Sequence, residues 1–404
     1  MNQVEKDFKK AVTAAKNRRD MFWRSQAPEL ASMLTLALEQ LKETVQDPQV
    51  GVETLIDFYK RDVEIFERCD DSYGNVGDVF RITAAGCFAD YACQCADKDK
   101  IANQVLALQE DSNYGVRDVL IDKASSFLDK RGIERLIATI EQKASAGQDI
   151  MGQRPWLLMI ESLARQIKDG ALFERTRQRN WQSLNCRAYV DIAKVYFSSG
   201  DAITAYDRLQ KAAECGGQNE YAELFREVCL ALGKKEEVQR ISWDIFHSHR
   251  CLETLNELIA QIGEDKRAET IYKEVDLIMA AKELSVTDTM FLLDVGQTSV
   301  TQSHIIAHRD QLNGEQFYSL APLAEKLEAK GLYLAAVAVY RALLEANLDR
   351  ALSKYYSHGV RYLHRLDALA HQIRDWGGMG SHVDYVKQIK QQHGRKTAFW
   401  AKCG

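Results

Sequence analysis

Proline is scarce in this chain, and its scarcity limits the folds that the chain can adopt. Only 4 of the 404 residues are proline, at positions 28, 48, 155 and 322, whereas average usage is about 5%. A helix interior excludes proline because the ring removes the amide N–H and collides with the preceding turn. The 23 glycines mostly follow apolar runs with helical spacing, where a helix ends in a left-handed turn. Together these distributions predict an all-α protein made of many short helices.

Composition and the N-terminal sequence predict a cytoplasmic location. Hydrophobic residues make up 46% and charged residues 27% of the chain, and no run reaches the roughly 18 apolar residues typical of a membrane span. The first ten residues, MNQVEKDFKK, carry charges where a secretory signal is apolar. The nine cysteines have irregular spacing, and we expect them to remain thiols in a reducing compartment.

Charge is distributed unevenly along the chain. The formal net charge is −5, yet residues 1–24 contribute +4 and residues 351–404 contribute +6, which leaves −15 for the middle of the chain. Both ends are therefore basic and the central region is acidic. An acidic central surface would attract a basic ligand segment through electrostatic steering.

Three helices are predicted in the first 70 residues. Apolar Val4, Phe8, Val12 and Ala15 lie on one face of a basic helix over residues 4–24. A second helix is predicted over residues 27–46, because proline favours a helix start and also follows the end of a helix. A third is predicted over residues 52–69.

An acidic, glycine-containing turn occurs twice, about 40 residues apart. The sequence DDSYGNVGDV at residues 70–79 is echoed by DSNYGVRDV at residues 111–119. In each copy an aspartate, Asp78 or Asp118, is placed to favour the N-terminus of the following helix. A repeated helix connection is sufficient to explain the echo.

The strongest repeat signal begins at residue 185. Small, apolar and aromatic residues flank Gly200 with the spacing of a tetratricopeptide hairpin, and the same spacings recur around Gly331. Gly233 and Gly263 mark degenerate copies, whereas residues 287–308 are predicted to be helical without a glycine turn. The matching positions are Tyr189, Ile192, Ala193, Tyr196, Ala205, Leu209 and Ala212 in the first unit, and Leu320, Leu323, Ala324, Leu327, Ala336, Tyr340 and Leu343 in the second. These units resemble tetratricopeptide repeats, which implies a right-handed solenoid of helical hairpins.

The C-terminal segment carries a second resemblance. Its most distinctive stretches are YYSH at 355–358, RYLHRLDALA at 361–370, HVDYV at 382–386 and HGRKTAFW at 393–400. With the two echoed turns, they resemble a family of uncharacterised bacterial helical-repeat proteins, some of which carry a SWIM-type zinc finger. Cys93 and Cys95 match the first pair of such a finger, but no Cys-X-His sequence follows. The finger is therefore absent, and the resemblance implies a helical fold rather than a chemistry.

These patterns divide the chain into three predicted regions. Residues 1–150 form an N-terminal helical region, residues 151–350 form the tetratricopeptide-like repeats, and residues 351–404 form a basic helical hairpin that caps the stack. A hinge is predicted at 147–155, where glycine and proline interrupt the helical pattern. In the cap, Phe399 and Trp400 are expected to pack against the last helices.

Basic residues of the C-terminal hairpin are the candidate contacts for an anion or a partner. Arginine presents a planar fork of donors that suits carboxylate and phosphate groups. A solvated basic face of the cap is the alternative interpretation. The candidate residues are His358, Arg361, His364, Arg365, Arg395 and Lys396.

Metal and catalytic motifs have little support in the sequence. His304 and His308 are spaced to share one helix face and a metal ion, but the glutamate of a zinc-hydrolase helix is missing. Cys87, Cys93 and Cys95 lie close together without a second cluster, so buried thiols are the simpler interpretation. We predict no catalytic residue, no metal ligand and no cofactor.

The sequence favours a non-enzymatic scaffold or adaptor that binds a protein or peptide partner, because stacked helix pairs create an extended surface. Nucleic-acid association through the basic termini is an alternative, although a pI near 6.1 is far below that of a dedicated binder. An enzyme with an unrecognised site is a third hypothesis. The residues of the nucleic-acid hypothesis are Lys6, Lys9, Lys10, Lys16, Arg18, Arg19, Arg395 and Lys396.

Overall fold

A computed structural model describes residues 22–403 except 111, 113, 147–149, 182, 217–220 and 351. Over these residues the regular structure is helical, and β-type pairing is limited to an isolated bridge between Phe22 and Cys69. The prediction of an all-α protein is confirmed. Most of the predicted basic helix over residues 4–24 lies outside the described residues, and its last three residues form no helix.

The chain divides into two compact units, Met1–Tyr221 and Ala222–Gly404. The predicted boundaries near residues 150 and 350 concern a different division and stay a prediction. Every helix in the described ranges is too short or too polar to cross a lipid bilayer.

The first unit contains twelve α-helices among its described residues, and a π-helix over Val79–Ala84 leads into the fifth. In chain order they are α1 Ala27–Thr44, α2 Pro48–Tyr59, α3 Asp62–Phe66, α4 Asn75–Asp78, α5 Ala85–Ala92, α6 Lys98–Gln109, α7 Val119–Asp122, α8 Lys130–Ala146, α9 Ile150–Gln166, α10 Gly170–Asn180, α11 Cys186–Ser198 and α12 Ala202–Glu214.

Short polar side chains begin many of these helices. The Asp47 carboxylate accepts hydrogen bonds from the backbone amides of Gln49 and Val50, and Asp97 and Asp201 make equivalent caps for α6 and α12. Such caps satisfy amides that have no partner within the helix. The local sequence therefore determines where these helices start.

The predicted third helix and the echoed turn differ in detail from the structure. The helix over 52–69 is interrupted between α2 and α3, where the buried carboxylate of Asp62 is paired with Arg117 at 2.5 Å. Asp78 lies in the first turn of α4 as expected. However, Asp71 supplies the cap, because its carboxylate accepts from the amides of Val76 and Gly77 at 2.9 and 2.8 Å.

The predicted hinge is also partly helical. Residues 150–155 belong to α9, and Pro155 lies inside that helix. The ring removes a hydrogen bond to the carbonyl of Met151, whose side chain is 70% exposed. The remaining hinge residues, 147–149, lie outside the described residues.

The second unit contains eleven α-helices among its described residues. They are α13 Ala222–Ala231, α14 Lys235–Ser248, α15 Leu252–Ile262, α16 Arg267–Ala280, α17 Val286–Asp294, α18 Thr298–Ala307, α19 Phe317–Ala329, α20 Tyr333–Asp349, α21 Tyr356–Ala370, α22 His382–His393 and α23 Thr397–Trp400.

One turn geometry recurs between paired helices. In the first unit Gly200 has a φ of 89°, and the following amide of Asp201 donates to the Tyr196 carbonyl at 3.0 Å. In the second unit Gly331 has a φ of 73°, and Leu332 donates to Leu327 at 2.9 Å. This pattern is a Schellman motif, which favours glycine because its left-handed residue is strained with a side chain.

Two further positions adopt this turn where the sequence analysis placed none. Gly296 has a φ of 80°, and Gln297 donates to the Leu292 carbonyl at 2.8 Å. The expectation that residues 287–308 lack a glycine turn was therefore wrong. In the first unit Lys168 has a φ of 57° and forms the same turn between α9 and α10 without glycine.

The C-terminal hairpin has the packing expected from the sequence. Its turn contains Gly377 and Gly378, which have positive φ angles. Phe399 is fully buried with its ring centroid 5.6 Å from that of Tyr356. The Trp400 indole donates to the His393 carbonyl at 3.0 Å. The end of the chain is thus fastened to the second unit.

Candidate functional site

Four of the six predicted contact residues lie on one helix. His358, Arg361, His364 and Arg365 are exposed on α21, and their spacing places them on neighbouring positions of its surface. Arg365 is paired with Glu328 at 3.3 Å, so part of the expected positive charge is neutralised.

The other two predicted residues follow α22. Arg395 is exposed and Lys396 is half-buried, in the turn where the Lys396 carbonyl accepts from Phe399 at 2.9 Å. Among the described residues, no hydrogen bond or ion pair joins either residue to the four on α21. One anion site made of these six residues stays a prediction.

The histidine pair does not form a metal centre with its described neighbours. The rings of His304 and His308 lie 4.6 Å apart between centroids, but the described residues contain no group of three or more His, Cys, Asp or Glu suited to a metal ion. His304 is almost fully buried. Cys87 and Cys95 are buried while Cys93 is exposed.

A concave feature of the second unit is a groove over α20, which we call the α20 groove. Its volume is about 830 Å³. The floor is one face of α20, one wall is the loop before α19, and the opposite wall comes from the C-terminal hairpin. The lining includes Arg309, Asp310, Gly314 and Glu315, then Ala338, Arg341, Ala342, Glu345, Ala346, Asp349 and Arg350, and finally Gly378, Gly380, Tyr385 and Gln388.

Small residues bring the first wall close to the floor. Ala338, Ala342 and Ala346 are spaced four apart on α20 and therefore share one face. Gly314 of the loop lies directly against them, because a Cβ at this position would be 2.0 Å from the Ala342 carbonyl oxygen. Only glycine allows the loop to pass α20 at this distance.

Arg341 is fixed in the groove by the C-terminal hairpin. Its guanidinium carbon lies 4.3 Å from the Tyr385 ring centroid and 5.1 Å from that of Trp376, within the range of cation–π attraction. One nitrogen donates to the Gly380 carbonyl at 2.9 Å. Burial lowers the pKa of Arg341, and its Nε has no hydrogen-bond partner among the described residues.

Glu345 is the acidic counterpart one turn along α20. Although part of its side chain is exposed, burial in the groove raises the pKa of its carboxyl group, while Tyr385 and Arg341 lower that pKa to a smaller extent. Burial also raises the pKa of Tyr385, whose hydroxyl donates to the Arg341 carbonyl at 3.3 Å. Glu345 forms no ion pair with a described residue.

The remaining charges of the groove are more solvated. The Asp310 side chain is 90% exposed beside Arg309. The Asp349 side chain is 72% exposed and lies 3.6 Å from His393. Because Arg341 is occupied by aromatic rings and a carbonyl, the accessible carboxylates outnumber the accessible guanidiniums. The groove is consequently suited to a ligand that carries positive charge.

Sequence reasoning missed this groove. The spacing of alanines on α20 and the glycine at position 314 are visible in the sequence, but they indicate only that something packs closely there. The three segments that line the groove are far apart in the chain, and no local pattern places them together.

Family comparison covers both units of the chain. The model of a family of unknown function (DUF6880) matches residues 1–188 and residues 176–402. The chain belongs to this family. The prediction of an uncharacterised family is confirmed. The α20 groove and all six predicted contact residues lie within the second DUF6880 segment. No curated protein matches the sequence of this DUF6880 member.

Proposed function

We propose that this protein is a non-enzymatic, cytoplasmic helical-repeat adaptor that binds a basic segment of a partner protein in the α20 groove. The observation that carries the proposal is the groove itself, an open channel of about 830 Å³ with a floor of small side chains and accessible carboxylates. Ligand sites typically combine such a concave surface with a few placed polar groups.

The shape of the groove fits an extended segment. From Ala338 to Asp349 the floor follows α20 for about 16 Å, at about 1.5 Å per residue. That length matches about five residues of extended chain at about 3.3 Å each. The alanines leave room for the backbone of the segment, and Glu345 and Asp349 lie where its basic side chains would be held.

Recurring hairpins support the architecture of this proposal. The Schellman turns at Gly296 and Gly331 of the second unit are one repeat apart by the period of about 34 residues of tetratricopeptide units, and the turn at Gly233 lies nearly two periods before Gly296. We infer a solenoid of such pairs, capped by the C-terminal hairpin. Solenoids present extended surfaces to their partners.

Site-specific crosslinking tests the proposal. A photo-crosslinking amino acid replaces Gln388, an exposed residue that lines the groove, and a matched control variant carries it at exposed Glu325 of α19. The groove variant should capture a lysine- or arginine-rich segment that the control does not capture, with the site identified by mass spectrometry. Adding E345Q and D349N should abolish this capture.

Two outcomes would contradict the proposal. One is capture of the same proteins at both positions, and the other is capture that survives both acid-to-amide substitutions. Nucleic-acid binding through the basic termini, a site on α21, a relation to SWIM-containing proteins and an unrecognised enzymatic site stay predictions. Residues 1–21 of the N-terminal basic patch lie outside the described residues.

A further inference from the structure

Arginine is concentrated around α10 in the first unit. Four arginines with an exposed tryptophan lie on α9, α10, α11 and the connection between the last two, and we call this the α10 arginine surface. We propose that it binds single-stranded nucleic acid. Its members are Arg154, Arg175, Arg179, Trp181 and Arg187.

Direct contacts and a shared cavity relate most members of the surface to one another. The guanidinium carbon of Arg154 lies 4.0 Å from the Trp181 ring centroid. Arg179 donates to the Gln153 side chain at 2.7 Å, which places it beside the residue that precedes Arg154. Trp181 and Arg187 line the same cavity of about 260 Å³. The contacts and the shared cavity place residues of three helices next to one another.

Arg177 lies on the same helix but, unlike the arginines of the surface, forms ion pairs within the protein. It is paired with the buried Glu161 at 2.6 Å and with Asp191 at 3.6 Å. None of the four arginines of the surface forms an ion pair with a described carboxylate. The exposed Arg175 and Arg187 are therefore available to an external anion, whereas Arg154 stacks on Trp181 and Arg179 donates one nitrogen to Gln153.

Like charges on α10 make this arrangement unfavourable without a ligand. Arg175 and Arg179 are both exposed and four residues apart, a spacing at which like charges destabilise a helix. A chain with a net charge of −5 nevertheless places them together. Phosphate groups would remove this repulsion, since guanidinium groups bind phosphate with a planar fork of donors.

Trp181 indicates which class of polyanion the surface would bind. Trp181 is 43% exposed and borders the cavity, which is also lined by Ser183 and Asn185. Proteins that bind single strands combine basic residues with aromatic rings on which bases stack. A duplex keeps its bases stacked and out of reach of such a ring, and an acidic peptide has no base to stack.

The proposal is independent of the α20 groove, because it concerns other residues in the other unit. Full-length protein is titrated with fluorescein-labelled U12 RNA and dT12 DNA, and binding is followed by anisotropy at salt concentrations between about 25 and 200 mM. We expect binding that weakens with salt. Trp181→Ala should weaken it about tenfold, as loss of one stacked base predicts, and Trp181→Phe should retain most of it.

Substitutions that remove or restore positive charge test the role of the arginines. The triple variant R175Q/R179Q/R187Q should weaken binding and lower the slope of log affinity against log salt by about 0.7 for each phosphate that the variant no longer neutralises, while lysines at these positions should restore part of the slope. K123Q/K130Q/R131Q, which removes three exposed charges elsewhere in the same unit, is the matched control and should bind like the wild-type protein. Circular dichroism checks that each variant keeps its helical content.

Three results would overturn the proposal. The first is no complex with either oligonucleotide at the lowest salt. The second is unchanged affinity in Trp181→Ala and in the triple variant. The third is competition by polyglutamate of equal charge as effective as competition by unlabelled U12, which would indicate an acidic peptide instead.

Discussion

At the residue scale, Glu345 combines a stability penalty with a proposed binding role. Burial raises the pKa of its carboxyl group, so between the unfolded and folded pKa values the folded state holds more protons. Its unfavourable effect on stability is therefore absent at low pH and appears as pH rises through this range. Glu345→Gln should raise the melting temperature by about 1–2 °C at pH 7 and leave it unchanged near pH 4.

The same substitution should weaken the partner complex. Loss of a partly exposed charge pair corresponds to about 1 kcal/mol, or about fivefold in affinity. Thermal melts and binding titrations of one protein preparation measure both effects. Glu325→Gln on α19, an exposed residue outside the groove, is the matched control, and an equal rise of melting temperature in that variant would exclude the assigned role of burial.

His304 predicts a second pH dependence of opposite sign. The ring is almost fully buried and its Nδ1 has no hydrogen-bond partner among the described residues. Burial and the neighbouring His308 lower the pKa of His304, while Asp288 raises it to a smaller extent. As pH falls, the unfolded chain therefore takes up a proton at this histidine before the folded protein does. The contribution of His304 to the free energy of unfolding is full above the unfolded pKa and is lost as pH falls below it.

Chemical denaturation between pH 7.5 and 5.5 measures this effect. The wild-type protein should lose up to about 1.4 kcal/mol per pH unit from this histidine below its unfolded pKa near 6.5. His304→Leu should lose less over the same range. Equal losses of unfolding free energy in the two proteins would show that groups other than His304 cause the acid sensitivity.

At the element scale, the recurring turn offers a matched pair of substitutions. Gly331 and Lys168 adopt left-handed φ angles of 73° and 57° in the same motif. No atom would obstruct a Cβ at Gly331, so Gly331→Ala reports backbone strain alone and should destabilise the protein by about 1–2 kcal/mol. Lys168→Gly should relieve the same strain and stabilise by up to about 1 kcal/mol. Urea denaturation that gives both changes the same sign would refute this account.

Gly314 is required because the loop passes close to α20, and not because its backbone conformation is strained. A Cβ there would collide with the α20 backbone, so Gly314→Ala must displace the loop that forms one wall of the α20 groove. We expect reduced crosslinking of the partner segment and a loss of more than about 2 kcal/mol in stability. Gly86→Ala on α5, where the Cβ would meet open space, is the control and should be neutral or stabilising.

At the scale of the whole molecule, the sequence predicted the class of fold better than the candidate site. Glycines after apolar runs correctly located the turns at Gly200 and Gly331, because a left-handed turn has a strong residue preference. Gly296 was overlooked since the apolar spacing continues up to it, and Lys168 could not be found because lysine rarely adopts that conformation. The α20 groove depends on loops and helices far apart in sequence, which helical periodicity does not relate.

Each compact unit also has hydrophobic clusters built from its own residues. Leu55 is fully buried in the cluster of the first unit, and Leu323 is fully buried in one of the second. A chain with separate cores need not unfold in one step, so we expect two calorimetric transitions. Leu55→Ala should lower the midpoint temperature of one transition and Leu323→Ala that of the other. Each substitution should reduce the free energy of unfolding of its own unit by about 2–5 kcal/mol, as is typical of a buried leucine. A single transition that both substitutions lower equally would show instead that the two cores unfold cooperatively.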